Sequence, residues 1–271
     1  PLQSGALTML HSVIIVLREV LEASMLISLL LAASAHVGIT RAWIWLALAF
    51  GLTGAWLLSR FGSSISSLFD GMGQETVNVM LLGLVIVSLL SNCGLLLKHI
   101  LNRHLLKRPW WLLWCSLATS CALSREGSEI FIYVIGFMQA GPEGHPIMTG
   151  AAIGLGVGTS IGAVLYYLLR LTPLRIFYVV APILITLVAA GQAVEAAREL
   201  IQSGWLESGK RLWDSSWIIA EDSVLGQLLY AGFGYEATPS ATQLIFFSFT
   251  IAVPLTLALY WRWQAGVNHA V

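Results

Sequence analysis

Long apolar segments alternate with short polar connections along most of the chain. A helix needs about 20 mostly apolar residues to cross the hydrocarbon core of a bilayer. Seven segments meet this requirement: residues 11–34, 41–59, 77–97, 111–139, 147–169, 176–200 and 241–263. The pattern predicts an all-α polytopic membrane protein with seven transmembrane helices, located as a multi-pass protein in the cell (inner or plasma) membrane.

The composition supports this class. Hydrophobic residues make up 57% of the 271 residues and charged residues 10%, and the mean hydropathy is +0.81. A soluble domain of this length could not bury so much apolar surface in one core. The formal net charge is zero, and no basic arm or domain is present to bind a nucleic acid. The lipid bilayer is therefore an expected partner, and nucleic acid is not.

Positive charges predict how the chain is oriented, because Lys and Arg favour cytoplasmic loops. They concentrate in the 98–109 connection, which holds Lys98, Arg103, Lys107 and Arg108, and in the 170–175 connection. This places the N-terminus outside and the C-terminus inside. The one long connection, residues 203–240, is then extracytoplasmic, and its apolar spacing predicts short amphipathic helices at the membrane surface.

A charged motif interrupts two of the apolar segments. It reads Arg18-Glu19-x-x-Glu22 in the first segment and Arg125-Glu126-x-x-Glu129 in the fourth. Each copy opens a group of three segments, so residues 9–110 and 111–202 are predicted to be two three-helix repeats. Because three is odd, the repeats have opposite orientations, and a site is expected where they meet near mid-membrane.

The rest of the chain completes this division. Residues 241–271 form a seventh helix and tail beyond the repeats. Residues 1–8 precede Met9 and are interpreted as a cloning remnant.

The spacing within the motif predicts how its side chains meet. Helix positions i and i+3 share a face, and i and i+4 can form an ion pair, so Arg18 can pair with Glu22 and Arg125 with Glu129. Four carboxylates against two guanidiniums leave an excess of negative charge that favours a cation. Carboxylate oxygens prefer hard ions such as ferric iron, Mg²⁺, Mn²⁺ or Ca²⁺, and protons fit too. The alternative is a purely structural set of ion pairs between helices.

Further acids and a glycine stripe carry weaker signals. Glu195 and Glu199 near the end of the sixth segment, together with Glu75, are interpreted either as solvated helix ends or as an outer acidic site that feeds the central one.

Glycines recur every four residues in the fifth segment, at Gly150, Gly154, Gly158 and Gly162. Such small-xxx-small spacing predicts close helix packing.

The paired motif, in this topology, resembles the oxidase-dependent high-affinity iron permeases of fungi and their bacterial Efe-type branch. The stretches AAGQAVEAARELIQSGWL (189–206), WDSSW (213–217) and LGQLLYAGFGYEATPSATQ (225–243) are also similar to that family. The sequence departs from it at Asn78, where an acid is common.

The resemblance implies import of ferric iron, supplied by an extracytoplasmic copper oxidase or iron-delivery protein. It implies that iron is handled by four glutamates, which are oriented by two arginines: Glu19, Glu22, Glu126 and Glu129, with Arg18 and Arg125. Iron is then the transported substrate, and no cofactor is bound permanently.

The residues alone are also consistent with two other functions. One is a permease for another hard or divalent cation, such as Mn²⁺ or Pb²⁺, and the other is a non-transporting membrane scaffold. An enzyme is not expected, because the sequence has no nucleophile–base pair, His-rich metal motif or cofactor fingerprint. The oligomeric state is left open.

Overall fold

A computed structural model describes residues 2–68, 71–102, 107–138, 144–220 and 223–268, and these form an all-helical protein. The helices are α1 (Leu2–His36), α2 (Trp43–Ser66), α3 (Gly73–Asn102), α4 (Arg108–Met138), α5 (Gly144–Leu171), α6 (Leu174–Gln202), α7 (Val224–Phe233) and α8 (Ala241–Asn268). Within these ranges the only β-type pairing is a single bridge between Arg211 and Ser240. The all-α prediction is confirmed.

Each of the seven predicted segments corresponds to a long helix, and five of those helices are long and apolar enough to cross a membrane. They cover Trp43–Ser66, Gly73–Leu101, His145–Leu171, Leu174–Gln202 and Ala241–Gln264. The other two long helices, α1 and α4, carry the charged motifs. That α1 and α4 also span the bilayer, and that the N-terminus is outside, remain predictions. Arg103 of the 98–109 connection lies outside the described residues.

The glycine stripe of α5 packs against α1, so the predicted close helix contact is confirmed. A Cβ atom on Gly154 would lie 2.7 Å from the backbone oxygen of Val13, which leaves room only for glycine. Two hydroxyls on α1 complete the contact, since Ser28 Oγ donates to the carbonyl of Gly162 at 2.7 Å and Ser24 Oγ to that of Gly158 at 3.1 Å. This contact determines the position of α1 along the axis of α5.

The second motif helix is held in a similar way. α4 packs against α2, where a Cβ atom on Gly127 would lie 2.8 Å from the Cβ of Ala55. Ser124 Oγ donates to the carbonyl of Gly51 at 3.2 Å. Each motif helix therefore packs closely against a different apolar helix, with its charged face turned elsewhere.

An apolar core next to the charged motifs joins residues of α1, α3, α4 and α6. Trp111 is fully buried, and its indole N–H donates to Ser34 Oγ at 3.0 Å. The three cysteines, Cys93, Cys115 and Cys121, are buried free thiols in this core. Because this packing is apolar and close, it fixes the relative positions of the helices that carry the motifs.

The described residues of the 203–240 connection contain one helix, α7, where short amphipathic helices were predicted. Ser223 Oγ accepts from the N–H of Gly226 at 3.0 Å and caps its start, and Gly234, with φ of +67°, ends it. Trp217 lies instead in an irregular turn and is 84% exposed. In the same turn, hydrogen bonds from Ser216 lower the pKa of the Asp214 carboxyl.

Candidate cation site between α1, α4 and α6

Both copies of the charged motif form the predicted ion pairs along their helices. Nε of Arg18 lies 3.4 Å from Oε1 of Glu22 on α1. Nη1 of Arg125 lies 3.8 Å from Oε1 of Glu129 on α4. These are i, i+4 pairs, which one helical turn brings together.

The second arginine also makes contacts that spacing alone did not predict. Nη1 of Arg125 lies 3.1 Å from Oε1 and 3.3 Å from Oε2 of its neighbour Glu126. Its Nη2 lies 4.0 Å from Oε2 of Glu22 on α1. Arg125 is only 2% exposed, so its charge is offset by these carboxylates and not by water.

Three of the motif glutamates come together as one group of potential metal ligands. Carboxylate oxygens of Glu19, Glu126 and Glu129 all lie within 4.8 Å of one another. Glu19 and Glu126 are buried, and Oε2 of Glu19 has no hydrogen-bond partner among the described residues. Three converging carboxylates suit a hard cation, which would offset their mutual repulsion.

The fourth motif glutamate has a different environment. Glu22 is buried and contacts the guanidiniums of Arg18 and Arg125, and it is not one of the three converging carboxylates. All four motif glutamates lie within 4.0 Å of an arginine nitrogen, but only Glu19, Glu126 and Glu129 converge as one group of potential metal ligands. This difference follows from the rotation of α1 against α4, which spacing within one helix does not determine.

Glu195 on α6 joins this cluster from a third direction. Its Oε1 lies 3.5 Å from Nη2 of Arg125 and 3.9 Å from Nη2 of Arg18, and it is 8% exposed. The sequence analysis grouped Glu195 with the outer acids. Since α6 continues to Gln202, Glu195 lies about two turns before the helix end and reaches the arginines.

The other two outer acids line a cavity that leads to the three converging glutamates. The cavity has a volume of about 490 Å³, and Glu75 and Glu199 line it together with Glu19 and Glu129. Nδ2 of Asn78 donates to Oε1 of Glu199 at 3.0 Å. Glu19 and Glu129 thus belong both to the cavity wall and to the converging group.

An aromatic contact from α7 was missed by the sequence analysis. The ring of Tyr230 contacts two guanidiniums, with Cζ of Arg18 at 4.4 Å and Cζ of Arg198 at 4.7 Å from its centroid. Arg198 forms an ion pair with Glu236, and Arg18 and Tyr230 line a second cavity of about 360 Å³. Arg198 and Tyr230 lie in the family-like stretches 189–206 and 225–243, but no spacing rule relates them to Arg18, because the contact joins elements that are distant in sequence.

Several apolar spans and a buried cluster of carboxylates and guanidiniums define a multi-pass helical membrane protein with an internal acidic site. Residues 9–265 match the family model described as the Iron permease FTR1 family. The chain belongs to that family, which confirms the resemblance drawn from the sequence. Membership places the chain with permeases and not with enzymes, as predicted.

Curated relatives match a smaller part of the chain. The ferrous iron permease EfeU of Shigella flexneri is 30% identical over 141 residues, which cover 51% of this chain and 59% of the relative. EfeU of Escherichia coli O6:K15:H31 is 29% identical over 149 residues, or 54% of this chain and 53% of the relative. The chain thus spans about half the length of the curated relatives it matches. No solved structure matches.

Proposed function

We propose that this protein imports iron across the cell membrane through the carboxylate cluster of α1 and α4. The observation that carries the proposal is the convergence of Glu19, Glu126 and Glu129, whose carboxylate oxygens lie within 4.8 Å of one another. Iron is a hard cation when ferric and binds such oxygen ligands well. Membership of an iron permease family adds the chemical identity that the carboxylates alone leave open.

We propose that α1–α3 and α4–α6 are inverted repeats, with α8 as a seventh span and the N-terminus outside. The helix packing supports this arrangement, because α1 packs on α5, the second helix of the other repeat, and α4 packs on α2 in the same way. α3 packs on α6, its own counterpart. Charges in α1 and α4 are tolerable in a bilayer because they pair with one another.

Ferric iron is the proposed substrate, delivered from the extracytoplasmic side by a copper oxidase or iron-delivery protein, as the resemblance implies. Iron first meets the acidic cavity, where Glu75 and Glu199 lower its free energy, and then passes to Glu19 and Glu129, which the cavity also contains. Arg18 and Arg125 limit the repulsion between carboxylates before iron arrives.

Ferrous iron is a second candidate, because the relatives from Shigella flexneri and Escherichia coli are named ferrous iron permeases. The same three carboxylates can bind it, since oxygen ligands accept both oxidation states. The two candidates differ in the partner they need, because only ferric iron requires an oxidase upstream.

Uptake by proteoliposomes tests the proposal. Radiolabelled ferric, ferrous, manganous and lead ions are offered to the parent protein, to Glu19→Gln and to Glu126→Gln, with a further sample of ferrous iron plus a multicopper oxidase. We expect iron uptake by the parent that both variants abolish. Unchanged uptake in both variants would exclude the central site. Preference for manganese or lead would indicate another cation permease, and no transport in any sample would favour a scaffold.

A further inference from the structure

We propose that Glu195 is a positioning residue that accepts the guanidinium of Arg125 when iron occupies the group formed by Glu19, Glu126 and Glu129. The inference rests on the proposed function, since it concerns how the guanidinium of Arg125 leaves Glu126 when iron binds at the same site. Glu195 belongs to neither copy of the charged motif, yet it contacts both arginines of the motif.

The first step concerns what occupies Glu126 before iron arrives. Nη1 of Arg125 lies 3.1 Å from one carboxylate oxygen of Glu126 and 3.3 Å from the other. The guanidinium therefore engages both oxygens that a metal would use. Because iron and guanidinium are both cationic, they repel strongly at this separation in a buried site. Iron binding at Glu126 requires that Arg125 move away.

The second step is where the guanidinium can go. Arg125 is 2% exposed, so it cannot turn to bulk water without a large change in the helices. Glu129 belongs to the same converging group as Glu126, and Glu22 already receives Nε of Arg18 at 3.4 Å. Glu195 is the remaining carboxylate in contact, with Oε1 at 3.5 Å from Nη2 of Arg125.

Unused hydrogen-bonding capacity lies on both sides of that contact. Among the described residues, Oε2 of Glu195 and Nε of Arg125 are buried and have no hydrogen-bond partner. Leaving such groups unsatisfied costs free energy, so a small shift of the guanidinium toward Glu195 would gain hydrogen bonds while it releases Glu126. A carboxylate can accept two parallel bonds from one guanidinium, and this makes Glu195 a suitable acceptor.

The other arginine is held in a way that leaves Glu195 available. Arg18 lies 3.9 Å from Oε1 of Glu195 but 3.4 Å from Glu22, and its guanidinium stacks on Tyr230. Arg18 therefore has partners of its own, and the second oxygen of Glu195 stays open for Arg125. Arg18 stays with Glu22 and Tyr230, whereas Arg125 is the arginine that moves toward Glu195.

The variant Glu195→Gln tests this inference. It keeps the shape of the side chain but removes the negative charge and one acceptor. Equilibrium binding of radiolabelled ferric and ferrous iron to the purified full chain in detergent is the measurement. We expect iron affinity to fall about 10–100-fold, the usual effect of losing a group that positions a metal ligand. Glu207→Gln is the control, because it removes an exposed carboxylate of the 203–240 connection, outside the cluster, and its affinity should be unchanged.

A double variant separates this role from a structural one. In an Arg125→Ala background there is no guanidinium to relocate, so adding Glu195→Gln should cost no further iron affinity. If Arg125→Ala does not fold, Arg125→Lys replaces it, because an ammonium cannot form the two parallel bonds, and the effect of Glu195→Gln should then shrink. Additive losses in either background would contradict the inference.

Two further outcomes are informative. A lower unfolding temperature for Glu195→Gln with unchanged iron affinity would make Glu195 structural and overturn the inference alone. A parent protein that binds no iron in either oxidation state would overturn the proposed function, and the inference with it.

Discussion

Nη2 of Arg125 on α4 lies 4.0 Å from Oε2 of Glu22 on α1, and this contact joins the two charged motifs directly. It shows that α1 and α4 meet at their charged faces, although each packs its small residues against a different apolar helix. Glu22 lies between two guanidiniums, whereas Glu19 lies with the converging carboxylates. The two glutamates of one motif should therefore respond differently to substitution.

Glu22→Gln should destabilise the protein more than Glu19→Gln. Removing the carboxylate of Glu22 takes a charged hydrogen-bond acceptor from Arg18 and a counter-ion from Arg125, which costs about 1.5–3 kcal/mol in the free energy of unfolding. Glu19 lies farther from Nε of Arg18, at 3.9 Å, and removing its charge also relieves repulsion within the converging group. Denaturant unfolding in detergent, without iron, measures both. Greater destabilisation by Glu19→Gln would contradict the ion-pair role given to Glu22.

Gly154→Ala should weaken the packing of α1 on α5. The new methyl would lie 2.7 Å from the Val13 carbonyl oxygen and 2.9 Å from the backbone nitrogen of Leu17, and a rigid backbone cannot yield to it easily. Overpacking of this kind costs about 1–3 kcal/mol. Gly156→Ala is the control, because a methyl there meets no atom within 4 Å, and it should not lower the thermal unfolding midpoint. Equal midpoints for the two variants would contradict the packing.

Tyr230→Leu should reduce iron uptake, and Tyr230→Phe should not. The ring stacks on Arg18 and Arg198, and each cation–π contact is worth about 0.5–1 kcal/mol. Phenylalanine keeps the ring and removes only a hydroxyl that has no hydrogen-bond partner in the described part of the chain. Initial uptake rates in proteoliposomes compare the two. Loss of uptake in Tyr230→Phe would assign the role to the hydroxyl.

Glu199→Gln should raise the iron concentration needed for half-maximal uptake and leave the maximal rate nearly unchanged. Glu199 lines the outer cavity and is not one of the three converging carboxylates. One carboxylate in a solvent-accessible cavity contributes about 1 kcal/mol to attracting a cation. Its loss corresponds to about a fivefold rise in the iron concentration needed for half-maximal uptake. The concentration dependence of uptake measures the shift, and Glu207→Gln, at an exposed acid of the 203–240 connection, is the control. A fall in maximal rate alone would argue against an outer capture role.

The sequence predicted the features that depend on one helix at a time. The long helices follow from apolar segment length, and the ion pairs Arg18–Glu22 and Arg125–Glu129 follow from the i, i+4 spacing. The small-residue stripe of α5 predicted close helix packing, although it did not identify α1 as the partner helix. These predictions succeed because helical periodicity is a local property that neighbouring residues determine.

Relations between helices required the tertiary structure. The separation of Glu22 from the other motif glutamates, the contact of Glu195 with both arginines and the stacking of Tyr230 all depend on how helices rotate and cross. Residues that make these contacts are far apart in sequence, so no spacing rule relates them. By itself, the sequence determined which residues carry charge in apolar helices. Only the packing of those helices decided which carboxylates converge and which groups from other helices contact the arginines.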